Sequence, residues 1–151
     1  MVTYNIIDSD FKLKGRRKLS SWIKQVINLN KFEVGEINFI FSNDEYILEI
    51  NKKYLNHNFY TDVITFDTSD YDEPLEIEKP NKNLISGDIF ISVDTVLANS
   101  KTYGSTFEEE MNRVIIHGIL HLIGFDDLND EEKKEMREQE NISLEILSKL
   151  D

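Results

Sequence analysis

The most informative part of this chain is residues 106–130, which read TFEEEMNRVIIHGILHLIGFDDLND. Thr106 followed by Glu109 forms a capping box, so a helix is predicted to begin there. Gly124 is a typical residue to end that helix in a left-handed conformation. The last three turns are almost wholly aliphatic, and a helix that is apolar on every side is a buried helix. The stretch therefore predicts a long helix in the core of the protein.

Two histidines, His117 and His121, interrupt this apolar run. They are four residues apart, so both imidazoles share one helix face and can reach one ion at about 2.0–2.1 Å. Buried histidines are often hydrogen-bonded core residues, so the spacing alone does not decide between the two roles. Gly118 favours the metal site, because a glycine inside a helix costs about 0.5–1 kcal/mol relative to alanine and indicates a backbone or a ligand passing close.

Asp126 and Asp127 follow Gly124 and are expected beside the end of this helix. Two adjacent carboxylates near two buried imidazoles repel each other, and a bound zinc ion would relieve that repulsion. The alternative is a purely structural turn before the last helix. Both readings stay open at this point.

The rest of the chain predicts strands that alternate with helices. Four short strands are predicted near residues 4–7, 36–41, 63–66 and 87–93, with an acidic, proline-containing loop over residues 67–83. Helical spacing predicts about five helices, the first over residues 19–27. Their candidate N-caps are Ser20 or Ser21, the Ser42-Asn43-Asp44 run, Asp94, Thr106, and Asn129 or Asp130. The prediction is one domain over residues 1–151, of the α/β or α+β class, with one mixed sheet of about four strands.

Composition limits the chemistry that the chain can carry. The 151 residues include no cysteine, so a thiolate nucleophile and a cysteine-held zinc site are excluded. Any metal must be held by nitrogen and oxygen. No apolar stretch approaches the roughly 18 residues that cross a bilayer, so neither a signal peptide nor a membrane span is expected, and a cytoplasmic location is.

The net charge of −12 is spread unevenly. Residues 1–60 contain 9 Lys and Arg against 7 Asp and Glu, whereas residues 61–151 contain 8 against 22. The acidic half cannot bind a polyanion through its general surface. Five cations near the N-terminus could meet phosphates, although such a run is more often a solvated helix start: Lys12, Lys14, Arg16, Arg17 and Lys18.

Residues 117–127, HGILHLIGFDD, resemble the HGxLHLxGxDH signature of the YbeY family. The resemblance extends to Gly87-Asp88-Ile89 and to residues 60–66, YTDVITF, which are similar to the PTDVLSF segment of that family. It covers roughly residue 35 to the end. The resemblance implies a zinc-dependent endoribonuclease in ribosomal RNA maturation and ribosome quality control. The implied partners are ribosomal RNA and the small ribosomal subunit, with one Zn²⁺ per chain; a monomer is expected, and no role on DNA or at a membrane.

The chain departs from the family pattern at the third zinc ligand. The third histidine of the family falls on Asp127, so the implied ligand set is His117, His121 and Asp127, with Asp126 as a possible substitute. Zinc accepts nitrogen and oxygen ligands together. An anionic third ligand is expected to weaken the Lewis acidity of the ion and to alter the rate or the preferred metal.

A second departure lies upstream, where an arginine of the family corresponds to Leu55. A phosphate or substrate contact is therefore expected to be missing. Candidate replacements are His57, Lys52 and Lys53, although a plain surface role fits His57 equally well.

The predicted reaction is metal-assisted hydrolysis of a phosphodiester bond. No glutamate follows His117, so the general base of H-E-x-x-H peptidases is missing. Asp88, on the strand that the family keeps near its site, is the first candidate to orient a ligand or accept a proton, unless it only caps the strand edge. His57 is the second catalytic candidate. Two other functions stay open: a metal-dependent hydrolase of another bond, and a non-enzymatic ribosome-assembly factor with a structural metal that has Asp126 as fourth ligand.

Overall fold

A computed structural model describes residues 1–69 and 83–150, which form four strands and five helices. The strands are β1 (Val2–Ile6), β2 (Glu33–Ser42), β3 (Val63–Asp67) and β4 (Leu84–Ser92). The helices are α1 (Arg16–Leu29), α2 (Asp44–Leu55), α3 (Val93–Tyr103), α4 (Phe107–Ile123) and α5 (Asp130–Ser148). The predicted class, one mixed sheet of about four strands with about five helices, is confirmed.

The four strands form one sheet in the order β1-β2-β4-β3. β1, β2 and β4 are parallel, and β3 runs antiparallel to β4 at the edge of the sheet. Parallel neighbours need a crossover connection, and α1 supplies it between β1 and β2. The chain enters β3 directly from the loop that follows α2. This loop therefore lies beside the edge of the sheet that β3 forms.

One face of the sheet forms the main core. The inward residues of β2 alternate along the strand, with Ile37, Phe39 and Phe41 fully buried, as a half-covered strand requires. α1, α4 and α5 meet over this face. Trp22 of α1 is fully buried there, and its Nε1 donates a hydrogen bond to the carbonyl oxygen of Ser143 on α5 at 2.7 Å. The helix α4, which contains His117 and His121, is thus held between the sheet and its two helical neighbours.

Two predicted helix starts are wrong. α1 begins at Arg16, three or more residues earlier than predicted, because Gly15 adopts a left-handed conformation with φ of 70° and ends the preceding loop. Ser20 and Ser21 therefore lie inside the helix and cap nothing. The N-cap of α3 is Ser92 rather than Asp94, which falls in the first turn. Both errors move a helix boundary and leave the order of elements unchanged.

The predicted loop over residues 67–83 falls mainly outside the described residues. Asp67 ends β3, and β4 begins at Leu84, earlier than the sequence predicted. Among the helices of residues 1–69 and 83–150, none has the length and apolar character that a membrane crossing needs.

Candidate metal centre

α4 begins and ends as the sequence predicts. Thr106 Oγ1 accepts a hydrogen bond from the backbone N–H of Glu109 at 3.1 Å, and the Glu109 side chain returns to the backbone N–H of Thr106, which completes the capping box. At the other end Gly124 has φ of +124°, and the next N–H, of Phe125, donates to the carbonyl of Leu120 at 3.0 Å. This turn reverses the chain and brings the following aspartates back toward the helix.

Gly118 lies where α4 presses on the sheet. A Cβ atom at this position would be 2.9 Å from the side chain of Ile89 on β4 and 3.3 Å from Thr65 Oγ1 on β3. The close approach that the sequence predicted at Gly118 is therefore real. It comes from side chains of the sheet rather than from a backbone or a ligand, and it sets how deeply α4 sits.

His117, His121 and Asp127 come together at the end of α4. The two Nε2 atoms are 3.0 Å apart, and Asp127 Oδ2 is 3.3 Å from that of His117 and 3.5 Å from that of His121. At a metal–ligand distance of about 2.0–2.1 Å, tetrahedral coordination separates neighbouring ligand atoms by about 3.3–3.4 Å. The three atoms are spaced as zinc ligands are. The donor set of two imidazoles and one carboxylate fits zinc as well.

Glu140 of α5 fixes the orientation of the first imidazole. Its Oε2 lies 2.8 Å from His117 Nδ1, so this nitrogen carries the proton and donates it to the carboxylate. The lone pair of His117 is then on Nε2, which faces His121 and Asp127. A carboxylate behind a ligating histidine is the usual means of fixing the ring and raising its basicity.

Arg113 completes a charged group behind the ligands. Its Nη1 is 2.8 Å from Glu140 Oε1, and its Nη2 donates to Asn141 Oδ1 at 3.0 Å. Burial alone raises the pKa of Glu140, but hydrogen bonds and charge from His117 and Arg113 outweigh it, and the net pKa is lowered. The carboxylate therefore stays ionised behind the metal centre.

The same contact changes the titration of His117. Burial alone lowers its pKa, but the hydrogen bond and the charge of Glu140, together with the charges of Asp127 and Asp62, raise the net pKa above the ordinary value of 6.5. A proton therefore competes with a metal for this imidazole at a higher pH than it does for an ordinary histidine.

The ligand atoms open into a pocket of about 410 Å³. Its other walls are β3, the end of α2 and the loop between them: Asn51, Leu55, His57, Phe59, Thr61, Asp62, Val63, Ile64, Thr65 and Asp67. Asp62 is a carboxylate of this wall, and its charge acts on His117. Burial raises its pKa, and the charge of His117 opposes that rise in part.

Some of the other predicted site residues line this pocket and some lie away from it. His57 and Leu55 both line the pocket. Asp88 points to the opposite face of the sheet, where Asn38 Nδ2 donates to its Oδ1 at 3.0 Å, and it does not line the pocket. A catalytic role for Asp88 stays a prediction that this placement does not favour.

Asp126 is exposed and lines a separate surface depression beside Phe125. Within residues 1–69 and 83–150, the only group of three or more histidine and carboxylate ligands close enough to share an ion is His117, His121 and Asp127. A three-ligand set leaves one tetrahedral position for a water or a substrate, which is the arrangement of catalytic rather than structural zinc sites.

Sequence reasoning missed Glu140 and Asp62. Glu140 had a detectable signal, because it follows Met136 by four residues and precedes Ser143 by three, and these positions form the buried face of α5. A glutamate on a buried stripe needs a partner. Asp62 gave a weaker signal. It is the only carboxylate in residues 60–66, the segment that resembles PTDVLSF.

The mixed sheet and the three-ligand cluster on a buried helix define a protein with a metal site of the hydrolase type. A family model described as Endoribonuclease YbeY matches residues 4–150, and the chain belongs to that family, as its resemblance predicted. Proteins named Endoribonuclease YbeY from Parabacteroides distasonis and Cytophaga hutchinsonii are 42% and 39% identical to it over 146 and 139 residues. These matches cover 97% and 92% of this chain and 95% and 90% of theirs.

The fold is also similar to that of a protein from Thermotoga maritima with a known solution structure. The TM-score is 0.61 at 26% sequence identity, and the match covers 97% of this chain and 89% of that one. The likeness therefore extends along nearly the whole of both proteins rather than over the metal-site helix alone.

Proposed function

We propose that this chain is a metal-dependent endoribonuclease that hydrolyses phosphodiester bonds at the pocket of His117, His121 and Asp127. The observation that carries the proposal is the spacing of the three ligand atoms, 3.0, 3.3 and 3.5 Å, at the base of an open pocket. Membership of an endoribonuclease family makes the chain a nuclease, with RNA as its class of substrate. Zinc is the ion that the donor set fits best, at one per chain.

Each residue of the pocket has a separate role in the proposed reaction. An ion held by His117, His121 and Asp127 would act as a Lewis acid, able to lower the pKa of a bound water and to polarise a phosphate oxygen. His117 and His121 offer their Nε2 atoms, and Glu140 keeps the proton of His117 on Nδ1 so that Nε2 stays free. Asp62 has a pKa raised by burial and lines the same pocket, so we assign to its carboxylate the acceptance of the proton released when water attacks. His57, on the opposite wall, is available to contact the substrate.

We further propose that the substrate is ribosomal RNA and that the chain acts as a monomer in the cytoplasm, in maturation and quality control of the small ribosomal subunit. The kinship with endoribonucleases supports an RNA substrate. Residues 61–151 carry 22 Asp and Glu against 8 Lys and Arg, so we expect the RNA to contact the less acidic N-terminal half and the ligand cluster itself.

The test is cleavage of a single-stranded RNA oligomer by protein that has been stripped of metal and then titrated with Zn²⁺. Activity should rise to a plateau at about one ion per chain, and His121→Ala should lower both the bound metal and the rate. A protein that binds one zinc tightly and never cuts RNA would instead support a structural metal. Cleavage that is unchanged after complete removal of the metal would refute the proposal.

A further inference from the structure

The loop between α2 and β3 places two rings at the mouth of the metal pocket. His57 and Phe59 stack on each other with ring centroids 5.1 Å apart and an angle of 22° between their planes. Both line the pocket that also contains the three ligand residues. Phe59 nevertheless keeps 55% of its surface exposed. The face of this ring is therefore open to solvent, and accessible to a ligand, beside the three ligand residues.

Asn51 holds this pair of rings in place. The residue is 1% exposed, its carbonyl oxygen accepts a hydrogen bond from the N–H of His57 at 3.1 Å, and its Nδ2 donates to the carbonyl of Phe59 at 2.9 Å. Asn56, the residue directly before His57, turns the chain at the end of α2 with a left-handed φ of 55°. Asn51 thus fixes the backbone at both ring positions, at His57 through its carbonyl oxygen and at Phe59 through its side chain, so the segment has less freedom to lose when something binds it.

The segment that carries the rings is itself basic, and the carboxylates that line the same pocket, Asp62, Asp67 and Asp127, lie outside that segment. Residues 51–61 contain Lys52 and Lys53 and no aspartate or glutamate, in a chain whose net charge is −12. Two further aromatic residues on the same segment are exposed, Tyr54 by 58% and Tyr60 by 61%. Exposed aromatic rings combined with lysines are the surface that proteins use to bind single-stranded nucleic acid, because every base has a π-face and every linkage a charge.

We propose that the His57–Phe59 pair binds an unstacked base of the RNA substrate while the neighbouring phosphate lies at the ligand cluster. This inference rests on the proposed function and adds a binding site to it. A ring platform accepts any of the four bases, and a base inside a duplex is not available to it. The platform therefore selects single-stranded substrate and positions the bond to be cut.

The first test measures stacking without cleavage. A 12-residue RNA that contains the fluorescent base 2-aminopurine is titrated with each protein in a chelator, so that no strand is cut. Phe59→Ala should weaken binding by about fivefold or more and should abolish the quenching of the base, since stacking on one ring contributes at least that much. Phe59→Tyr, which keeps the ring, should restore both.

Ile142→Ala is the matched control. Ile142 is 53% exposed, close to the 55% of Phe59, but it lies on α5 and lines neither the pocket of the ligands nor the depression beside the basic run. Its truncation should leave binding and quenching unchanged. Equal binding by Phe59→Ala and Ile142→Ala overturns the proposal, and so does a wild-type chain that fails to quench the base.

Cleavage with Zn²⁺ separates this inference from the function on which it rests. If the wild type cuts RNA and Phe59→Ala binds and cuts with unchanged constants, the platform is wrong and the nuclease assignment stands. If the wild type quenches the base but never cuts, the platform stands and the assignment fails. Thermal unfolding of each variant checks that Phe59→Ala folds, and Phe59→Tyr gives an independent reading if it does not.

Discussion

Replacing Glu140 with glutamine tests whether the group behind the ligands controls the metal. Glu140 Oε2 accepts from His117 Nδ1, and its Oε1 accepts from Arg113 Nη1, both at 2.8 Å. A glutamine has nearly the same shape, but it offers one carbonyl oxygen to these two donors and carries no charge. Loss of a partner of this kind typically weakens metal binding by about 10- to 100-fold. Because the shape is kept, we expect about tenfold.

The same variant has a predictable effect on stability in the metal-free protein. Folding raises the pKa of His117 above the unfolded value of about 6.5. The stability that His117 contributes is therefore complete below pH 6.5 and is lost as the pH rises through the pKa of the folded state. Folding lowers the pKa of Glu140 below the unfolded value of about 4.5. The stability that Glu140 contributes is therefore complete above pH 4.5 and is lost as the pH falls through the pKa of the folded state. The pair therefore stabilises most between pH 4.5 and 6.5. In that window Glu140→Gln should cost about 1–3 kcal/mol of unfolding free energy, and less at pH 8.

Metal affinity is measured by competition with a zinc chelator, and stability by urea unfolding in excess chelator. Glu145→Gln is the control, because Glu145 is a glutamate of the same helix whose side chain is 69% exposed and pairs with the exposed Lys149. It should change neither quantity by more than a few tenths of a kcal/mol. Equal metal affinity in the wild type and in Glu140→Gln, at any pH between 6 and 8, would show that the contact does not act on the metal.

Three further predictions concern the ligands, the helix and the basic run. Asp127→Ala should loosen the metal much more than Asp126→Ala, and Asp127→His should retain it; a reversed order in chelator competition would mean that the wrong aspartate is the ligand. Gly118→Ala should lower the free energy of unfolding by about 1–3 kcal/mol in urea, since its Cβ would be 2.9 Å from a β4 side chain; a neutral change would contradict the tight packing. Exchange of Arg16 and Arg17 for glutamate should weaken RNA binding and flatten its salt dependence without releasing metal, and an unchanged slope would count against contact there.

α4 could be predicted from sequence because its signals are local. The capping box at Thr106, the aliphatic turns and the glycine at 124 all act within a few residues of the helix they define. The histidine pair is likewise defined by helical spacing alone. The third ligand was a different case. Asp127 was chosen over Asp126 by resemblance, and only the path of the chain after Gly124 separates them.

Asp88 shows how a strand pattern can be read incompletely. Gly87, Ile89 and Ile91 are buried toward α4, so strict alternation puts Asp88 on the other face of β4. The sequence carried this information, but the face that covers the metal site was unknown until α4 was placed. Glu140 was missed for a related reason. Its partner His117 is 23 residues away, and no local rule links a glutamate on one helix to a histidine on another.

The N-cap errors have a simpler cause. Serines and aspartates are good caps, and the sequence offers one near each helix start. At α1 a left-handed glycine ends the loop earlier, and at α3 the last residue of β4, Ser92, is itself the cap. Propensity therefore identifies that a helix begins and leaves its first residue to be decided by the backbone that precedes it.

The ligand residues and the opposite wall of the pocket come from separate parts of the chain. The three ligand residues fall within positions 117–127, so bringing them together closes only a short loop, at little cost in entropy. The opposite wall includes β3, which is paired with β4 at the edge of the sheet. The spacing of the ligand atoms therefore depends on α4 and the turn after it, whereas the width of the pocket depends on the pairing of β3 with β4, so that metal retention and substrate access draw on separate parts of the fold's stability.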